Sequence, residues 1–313
     1  MTRPGGRVTT SRTARPPRWL RPLLLGALAV VLVAVLWELY KAVGPSDGLV
    51  VGADEAVRNS GLRILPRTSD LAMPHVWEMF ARLGEPITSA TNAQPLWLAV
   101  TLAALFSLGV AAAGLLIALV VGFALALLMQ RFRIAESAVL PLVILSQTVP
   151  LIALAPLVKG WGSKLEFGSF EWENWMSVAV IASYLAFFPI AVGALRGLQS
   201  PDVIHTELMH SYAASRWRTL IHLRLPASVP YLLPALRLGA ANAVVGTVVA
   251  EVSIGLPGGI GRMILEFANF ASSDPAKPWA PIFGAIVLGL VAAGLVALLG
   301  LAFGRYRRAE VHA

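Results

Sequence analysis

The chain has no cysteine among its 313 residues, which excludes a disulfide scaffold, a thiolate metal site and a cysteine nucleophile. Charge is scarce as well. Asp, Glu, Lys and Arg make up 13% of the residues and hydrophobic ones 57%, where a soluble domain carries about 25% charged residues. With a mean hydropathy of +0.72, so much apolar sequence exceeds what one soluble core of this size can bury, and an integral membrane protein is expected. No G-x-x-x-x-G-K-[ST] loop is present, so the chain cannot hold ATP in the usual way. The tail sequence GGRVTTSRT is only loosely similar to that loop. No carboxylate pair or Ser-His-Asp set stands at usable spacing. His205 and His210 are five apart, off the same-face spacing of a helix, and no close acids complete a metal shell. A non-catalytic chain without cofactor or metal is therefore expected. No internal repeat is evident either, so the sequence signature of many secondary transporters is missing.

What the chain does contain is a series of apolar runs. Residues 1–22 are rich in arginine and hold no acid, which predicts a disordered basic tail. Residues 23–42 predict a first transmembrane helix. Its apolar run is at the long end for a cleavable signal and no small-x-small site follows closely, so a retained span is expected. Residues 43–95 are polar and punctuated by Gly and Pro, which predicts an extracytoplasmic segment with one short helix near 73–83. The pattern there places Val76, Met79, Phe80 and Leu83 on one face. Leu96 to Met129 carries no charge and is too long for one ~30 Å crossing and too short for two. The reading is an interfacial or tilted lead-in to Leu108, then a crossing from about Gly109, with Gly109, Gly114 and Gly122 thinning one side for helix packing. A third span is predicted over 137–158, interrupted by Gln147, Pro150 and Pro156. A fourth is predicted over 176–195, a fifth up to about Ala250 with Arg237 as its charge, and a sixth over 280–304.

Six spans put both termini on one side of the membrane. Fifteen of the 25 lysines and arginines fall on segments assigned to that side, against four acids, Glu136, Asp202, Glu207 and Glu310. The bias predicts that both ends and the segment after the fourth span are cytoplasmic. The net charge of +8 is then topological, and no nucleic-acid partner is expected.

The stretch Pro201 to Pro234 is the longest polar interlude in the second half of the chain. Asp202 can cap one helix and Ser215 a second, RWRTLIHLRL, with Trp217, Leu220, Ile221 and Leu225 on an apolar face and Pro226 ending it. Two short helices with arginines on the polar side make a compact cytoplasmic knob. From the residues alone it can lie on anionic lipid or meet a protein.

This stretch resembles the cytoplasmic signature loop of ABC importer permeases, E-A-A, three residues, Gly, nine residues, Ile, any residue, Leu-Pro. Glu207, Leu208 and Met209 stand at the opening triplet, Ala213 at the glycine, Leu223 at the isoleucine and Leu225-Pro226 at the close. Similarity continues through VPYLLPALRLGAANAVVGTVVAEV, the turn GLPGGIG and SQTVPLIALAPLVKGWG, so that residues 96–308 resemble the nitrate, sulfonate, taurine and pyrimidine-precursor subgroup. The resemblance implies an all-α membrane protein of six transmembrane helices with a type I ABC importer permease core at 96–308, a coupling loop at 201–226 and a short tail at 309–313. It also implies a bacterial inner or plasma membrane location, a cytoplasmic ABC ATPase dimer that receives the loop, an extracytoplasmic substrate-binding protein and a second permease copy. The function so implied is the transmembrane subunit of an ATP-driven importer for a small anionic or heterocyclic solute. The alternative class is a non-transporting membrane scaffold or channel that recruits a cytoplasmic protein. Three departures stand at the loop: Ala213 lacks the freedom a glycine has at φ > 0, and Leu208 and Met209 enlarge two small positions.

The resemblance gives Glu207 a docking and capping role, with a solvated glutamate as the alternative. Arg216 and Arg218 face either acids on an ATPase or anionic headgroups. Trp217 is either an apolar plug for a partner's groove or an interface anchor. Arg237, about 17 Å into its helix if that helix is regular, must face the bundle or a water-filled path. It meets an anionic substrate or gating ion pair, or it is satisfied by carbonyls or Gln147. Gln147, Tyr184 and Asn242 are the other polar groups that can line a pathway or make helix-packing bonds.

Overall fold

The computed structural model describes residues 20–51, 62–90, 93–168 and 170–302. Ala- and Leu-rich runs satisfy their own backbone groups only as helices in an apolar medium, and the described chain is helical almost throughout. It divides into two compact units, residues 1–78 and 79–313.

The first unit is built on helix α1 (Leu20–Val43). The segment that follows holds a short antiparallel pair that the polar sequence did not predict, β1 (Leu49–Val51) and β2 (Leu62–Leu65). Residues 66–76 are strapped to the end of α1. The Trp37 Nε1 donates to the Pro74 carbonyl at 3.1 Å and the Tyr40 hydroxyl to that of Pro66 at 3.0 Å. Glu38 accepts from the Val76 amide at 2.7 Å and pairs with His75 Nδ1 at 2.8 Å. The Lys41 ammonium meets Asp70 at 2.5 Å, and this hydrogen bond holds the Asp70 carboxyl below its ordinary value. α2 (Val76–Gly84) is the short helix expected from sequence. Met79 is its buried residue, while Phe80 stacks on Phe283 with ring centroids 4.9 Å apart.

The second unit is organised around α6 (Asn174–Gln199), which packs against α3 (Leu96–Arg131) on one side and α9 (Leu225–Ile254) on the other. Small residues permit the approach. A Cβ on Gly114 would stand 2.7 Å from the Ala182 Cβ, and one on Gly122 2.9 Å from the Phe187 carbonyl. Gly109 faces open space, so two of the three predicted glycines serve packing. α3 is one unbroken helix of 36 residues, about 54 Å at 1.5 Å per residue. The lead-in expected to Leu108 and the crossing from Gly109 are parts of this one element, and Ser107, the polar residue at that point, turns its hydroxyl to Glu251 without breaking the backbone ladder.

The predicted third span is two helices, α4 (Arg133–Ser146) and α5 (Leu151–Gly162), bent by 102°. Pro150 supplies no amide and biases Val149 away from helical geometry, so the chain turns at Gln147–Val149. A two-residue pair, β3 (Glu166–Phe167) with β4 (Phe170–Glu171), leads into α6. After α6 come α7 (Val203–Ser211) and α8 (Arg216–Thr219). Beyond α9 lie α10 (Ile260–Ala268) and α11 (Trp279–Ala302).

Pro226 does not end the α8 helix. Residues 216–254 run on as one helical rod through a π-helical turn at Leu220–Arg224, with Pro226 in the first turn of α9. A proline inside an α-helix clashes with the carbonyl four residues back; the wider π turn just before Pro226 opens that position. Among the described residues, five helices are long and apolar enough to cross a membrane, and the bent α4–α5 pair makes six if it is one span. Most of the predicted basic tail and all of the C-terminal tail at 309–313 lie outside the described residues, as do Arg305, Arg307 and Arg308. The described helix starts at Leu20, within the predicted tail.

Candidate functional site

α7 is short, opens on Val203 and Ile204, and none of its residues is buried. Ile204, Leu208 and Tyr212 recur every four residues, and all three are exposed, Tyr212 at 77%. Trp217 on α8 is 69% exposed. Large apolar side chains left in the open on short helices are the pattern of a binding surface, and i, i+4 spacing is how a helix presents anchors to a groove. Met209 is half-buried, and Glu207, Arg216 and Arg218 are exposed. Ile221 is exposed, whereas Leu220 and Leu225 pack on the cluster of Ala126, Met129, Ala194, Leu195 and Leu198. The predicted apolar face is thus split between core and surface.

The caps differ from the sequence reading in two respects, at Asp202 and at Glu207. Ser215 accepts from the Arg218 amide, as expected of an N-cap. Asp202 occupies the N-cap position of α7 but its side chain makes no cap bond. Glu207 stands mid-helix, too far along to cap α7, because the first-turn amides lie nearer Asp202.

The turn between α7 and α8 is set by Ala213, whose φ is 51°. The Ala214 amide donates to the Met209 carbonyl and the Ala213 amide to that of His210, both at 2.9 Å. This 6→1 and 5→2 pair is a Schellman motif, whose C′ residue is left-handed and usually glycine. The turn therefore does require the geometry of a glycine, and an alanine adopts it.

The polar groups within the spans fall into two sets. At the elbow between α4 and α5, the Tyr184 hydroxyl donates to the Ser146 carbonyl, and Gln147 Nε2 reaches the Tyr184 carbonyl at 3.4 Å. Gln147 and Tyr184 thus hold the bend against α6. In α6, Pro189 has no amide to offer the carbonyl of Leu185 four residues back. Asn242 Nδ2 from α9 donates to that carbonyl at 3.1 Å, so Asn242 replaces the missing backbone bond. Arg237 is not drawn to either set. It is exposed on the single chain, with Nη2 3.5 Å from where a Cβ on Gly300 of α11 would stand. Among the described residues it has no hydrogen-bond or ion-pair partner.

Residues 114–305 match the profile of a family described as "Binding-protein-dependent transport system inner membrane component". The chain belongs to this family of ABC permeases. It is 33% identical over 228 residues to the formylaminopyrimidine transport permease protein ThiX of Halalkalibacterium halodurans, covering 69% of this chain and 85% of that one. With the taurine transport system permease protein TauC of Escherichia coli it shares 32% over 161 residues, 50% of this chain and 54% of the relative. With the nitrate import permease protein NrtB of Synechocystis it shares 25% over 188 residues, 60% and 61% of the two chains. These relatives fall in the subgroup expected from sequence, and the fold is that of a type I ABC permease core.

One residue of this permease escaped the sequence reading. Glu251 is fully buried near the end of α9. It accepts from the Ser107 hydroxyl at 2.6 Å and from the Gly261 amide at 2.8 Å, while Ser107 Oγ accepts from the Ile260 amide at 2.9 Å. Gly259 leaves room for the carboxylate, since a Cβ there would overlap it. α3, α9 and the start of α10 are thereby tied across the GLPGGIG turn. Ending the fifth span at Ala250 hid this residue. The available signal was an acid placed between an apolar run and a glycine-rich turn.

Proposed function

We propose that this permease forms, with a second copy of itself, the translocation path of an importer for a small anionic or heterocyclic solute, and takes its energy from a separate ATPase that grips loop 201–226. The observation that carries the reading is the exposed row Ile204, Leu208 and Tyr212 with Trp217 beside it. Anchors spaced by one helical turn beside an exposed tryptophan suit the groove of a protein partner. The proposed ATPase side is the basic side, with both termini cytoplasmic, and a substrate-binding protein docks on the opposite face. ATP-driven closure of two ATPase subunits would draw the two loops together and tilt the spans, and hydrolysis would reverse this.

Within the bilayer the reading draws on two features. The turn at Thr148, Val149 and Pro150 is exposed on the single chain, and irregular backbone is tolerated at membrane depth only against protein or a water-filled cavity. Arg237 likewise cannot remain in lipid unpaired. We assign both to the path or to the interface with the second copy, with Gln147, Tyr184 and Asn242 shaping the wall, and Arg237 meeting the charge of an anionic solute.

Co-purification of an ABC ATPase with this permease from its native membranes tests the coupling surface. Trp217→Ala is expected to weaken the complex by at least about tenfold, as truncation of an aromatic anchor does. Retention of the ATPase at wild-type level would remove Trp217 from the interface, and capture of non-ATPase partners alone would support a scaffold. Arg237→Gln in reconstituted vesicles is expected to slow uptake while ATPase binding persists. Unchanged uptake kinetics would reduce Arg237 to a packing residue.

A further inference from the structure

A cleft of about 570 Å³ opens between the end of α3 and the α7–α8 turn, within the ~300–1,000 Å³ of small-ligand sites. Its rim carries Arg131, Arg216, Arg224 and His210, and no carboxylate lines it. The arginines are only lightly engaged. Arg131 lies over the Phe132 ring at 4.9 Å, and Arg224 Nη1 donates to the Leu198 carbonyl at 2.9 Å. None of the three has an acid partner among the described residues. The rest of the lining is mixed, with Leu127, Leu220 and Trp217 apolar and Gln130 and Thr219 polar.

We propose that this cleft binds the phosphate of an anionic phospholipid, with the headgroup against the arginines and the glycerol and upper acyl carbons against Leu127 and Leu220. Position in the chain favours lipid over an acidic side chain of a partner protein. Arg131 ends the apolar run of α3, and Arg224 immediately precedes α9, so the cleft stands where two spans leave the hydrocarbon. Headgroup phosphates occupy that level, and basic pockets between spans recruit them. Arg216 and Trp217 belong to both the cleft and the proposed coupling surface, which places the bound lipid where it can bias the orientation of α8. The site itself does not depend on the ATPase reading.

Purified permease in neutral detergent, titrated with phosphatidylglycerol, phosphatidylcholine or inorganic phosphate and weighed by native mass spectrometry, tests this. Wild-type chain is expected to retain one phosphatidylglycerol with a preference of roughly tenfold over phosphatidylcholine. The preference should fall toward unity in Arg131→Gln combined with Arg224→Gln and persist in Arg131→Lys. Should the double variant fail to fold, Arg131→Gln alone, at an exposed position, is expected to lose part of the preference. Equal retention of the two lipids by wild type overturns the proposal, as does an undiminished preference in the arginine variants. Displacement by an equal concentration of inorganic phosphate would mark a free-phosphate site, and stoichiometric displacement by the ATPase a protein contact; either result also overturns it. Loss of ATPase co-purification with lipid selectivity intact would count against the coupling reading alone.

Discussion

Ala213 concentrates the conformational demand of the α7–α8 turn in one dihedral. With φ at 51° its Cβ crowds the backbone, at a cost of roughly 1–2 kcal/mol for an L-residue in this region. The Schellman bonds at Ala213 and Ala214 and the Ser215 cap offset that cost. Ala213→Gly is therefore expected to raise stability by about 1 kcal/mol, read as a higher midpoint in thermal unfolding of the detergent-solubilised protein. A lower midpoint would mean that the methyl makes a contact worth more than the strain. Glu251 shows the opposite case, a polar side chain deep in the fold with every bond placed. Its Oε2 accepts the Gly261 amide and its Oε1 the Ser107 hydroxyl, whose oxygen in turn accepts the Ile260 amide; both amides open α10 and otherwise lack intrahelical partners.

At the level of whole elements, proline has three different outcomes in this chain, and the neighbours decide among them. Pro150 turns the chain, because the α4–α5 elbow is secured to α6 by Tyr184 and Gln147. Pro226 is absorbed by the π turn before it. Pro189 remains inside α6 because Asn242 supplies the donor that the Leu185 carbonyl lost. The last pairing can be measured. Asn242→Leu should cost roughly 1 kcal/mol in the wild type, typical of interhelical bonds in membrane proteins. In a Pro189→Ala background the backbone amide returns, and the cost should shrink. A double-mutant cycle from unfolding midpoints gives the coupling directly, and additive effects would show that Asn242 does not substitute for the missing bond.

Over the whole molecule, the exposed surfaces differ in kind. α11 exposes Ile286, Val287 and Leu290, and α3 exposes Leu105 and Leu116, as expected of helices against hydrocarbon. The α4–α5 elbow instead exposes the irregular turn at Thr148, Val149 and Pro150, and Arg237 exposes a cation. Since the chain lacks cysteine, a single introduced thiol reports on each environment. Thr148→Cys in the assembled, reconstituted transporter is expected to react with a membrane-impermeant thiol reagent at some stage of the ATP cycle, whereas Ile286→Cys is not. Protection of the thiol at Thr148 together with disulfide cross-linking between copies would place the elbow in the dimer contact instead. Equal inertness at both positions, without cross-linking, would return the elbow to lipid and count against the proposed path.

The sequence by itself determined the membrane class, the family resemblance and the helical content, because these follow from composition and from periodic burial that local residues dictate. It also located Ser215 as a cap and α2 as a short helix. It did not determine whether α3 would break, where the third span would turn, or that Pro226 would continue a helix. Those depend on which neighbour supplies or removes a backbone partner. For the same reason Asn242 was legible as a polar residue in a span but not as the donor to Leu185, and Glu251 was not legible as the centre of a buried network. Hydrogen bonds between residues 57 and 144 positions apart arise only when α3, α6 and α9 meet, and the small residues that let those helices approach fix which groups come within reach.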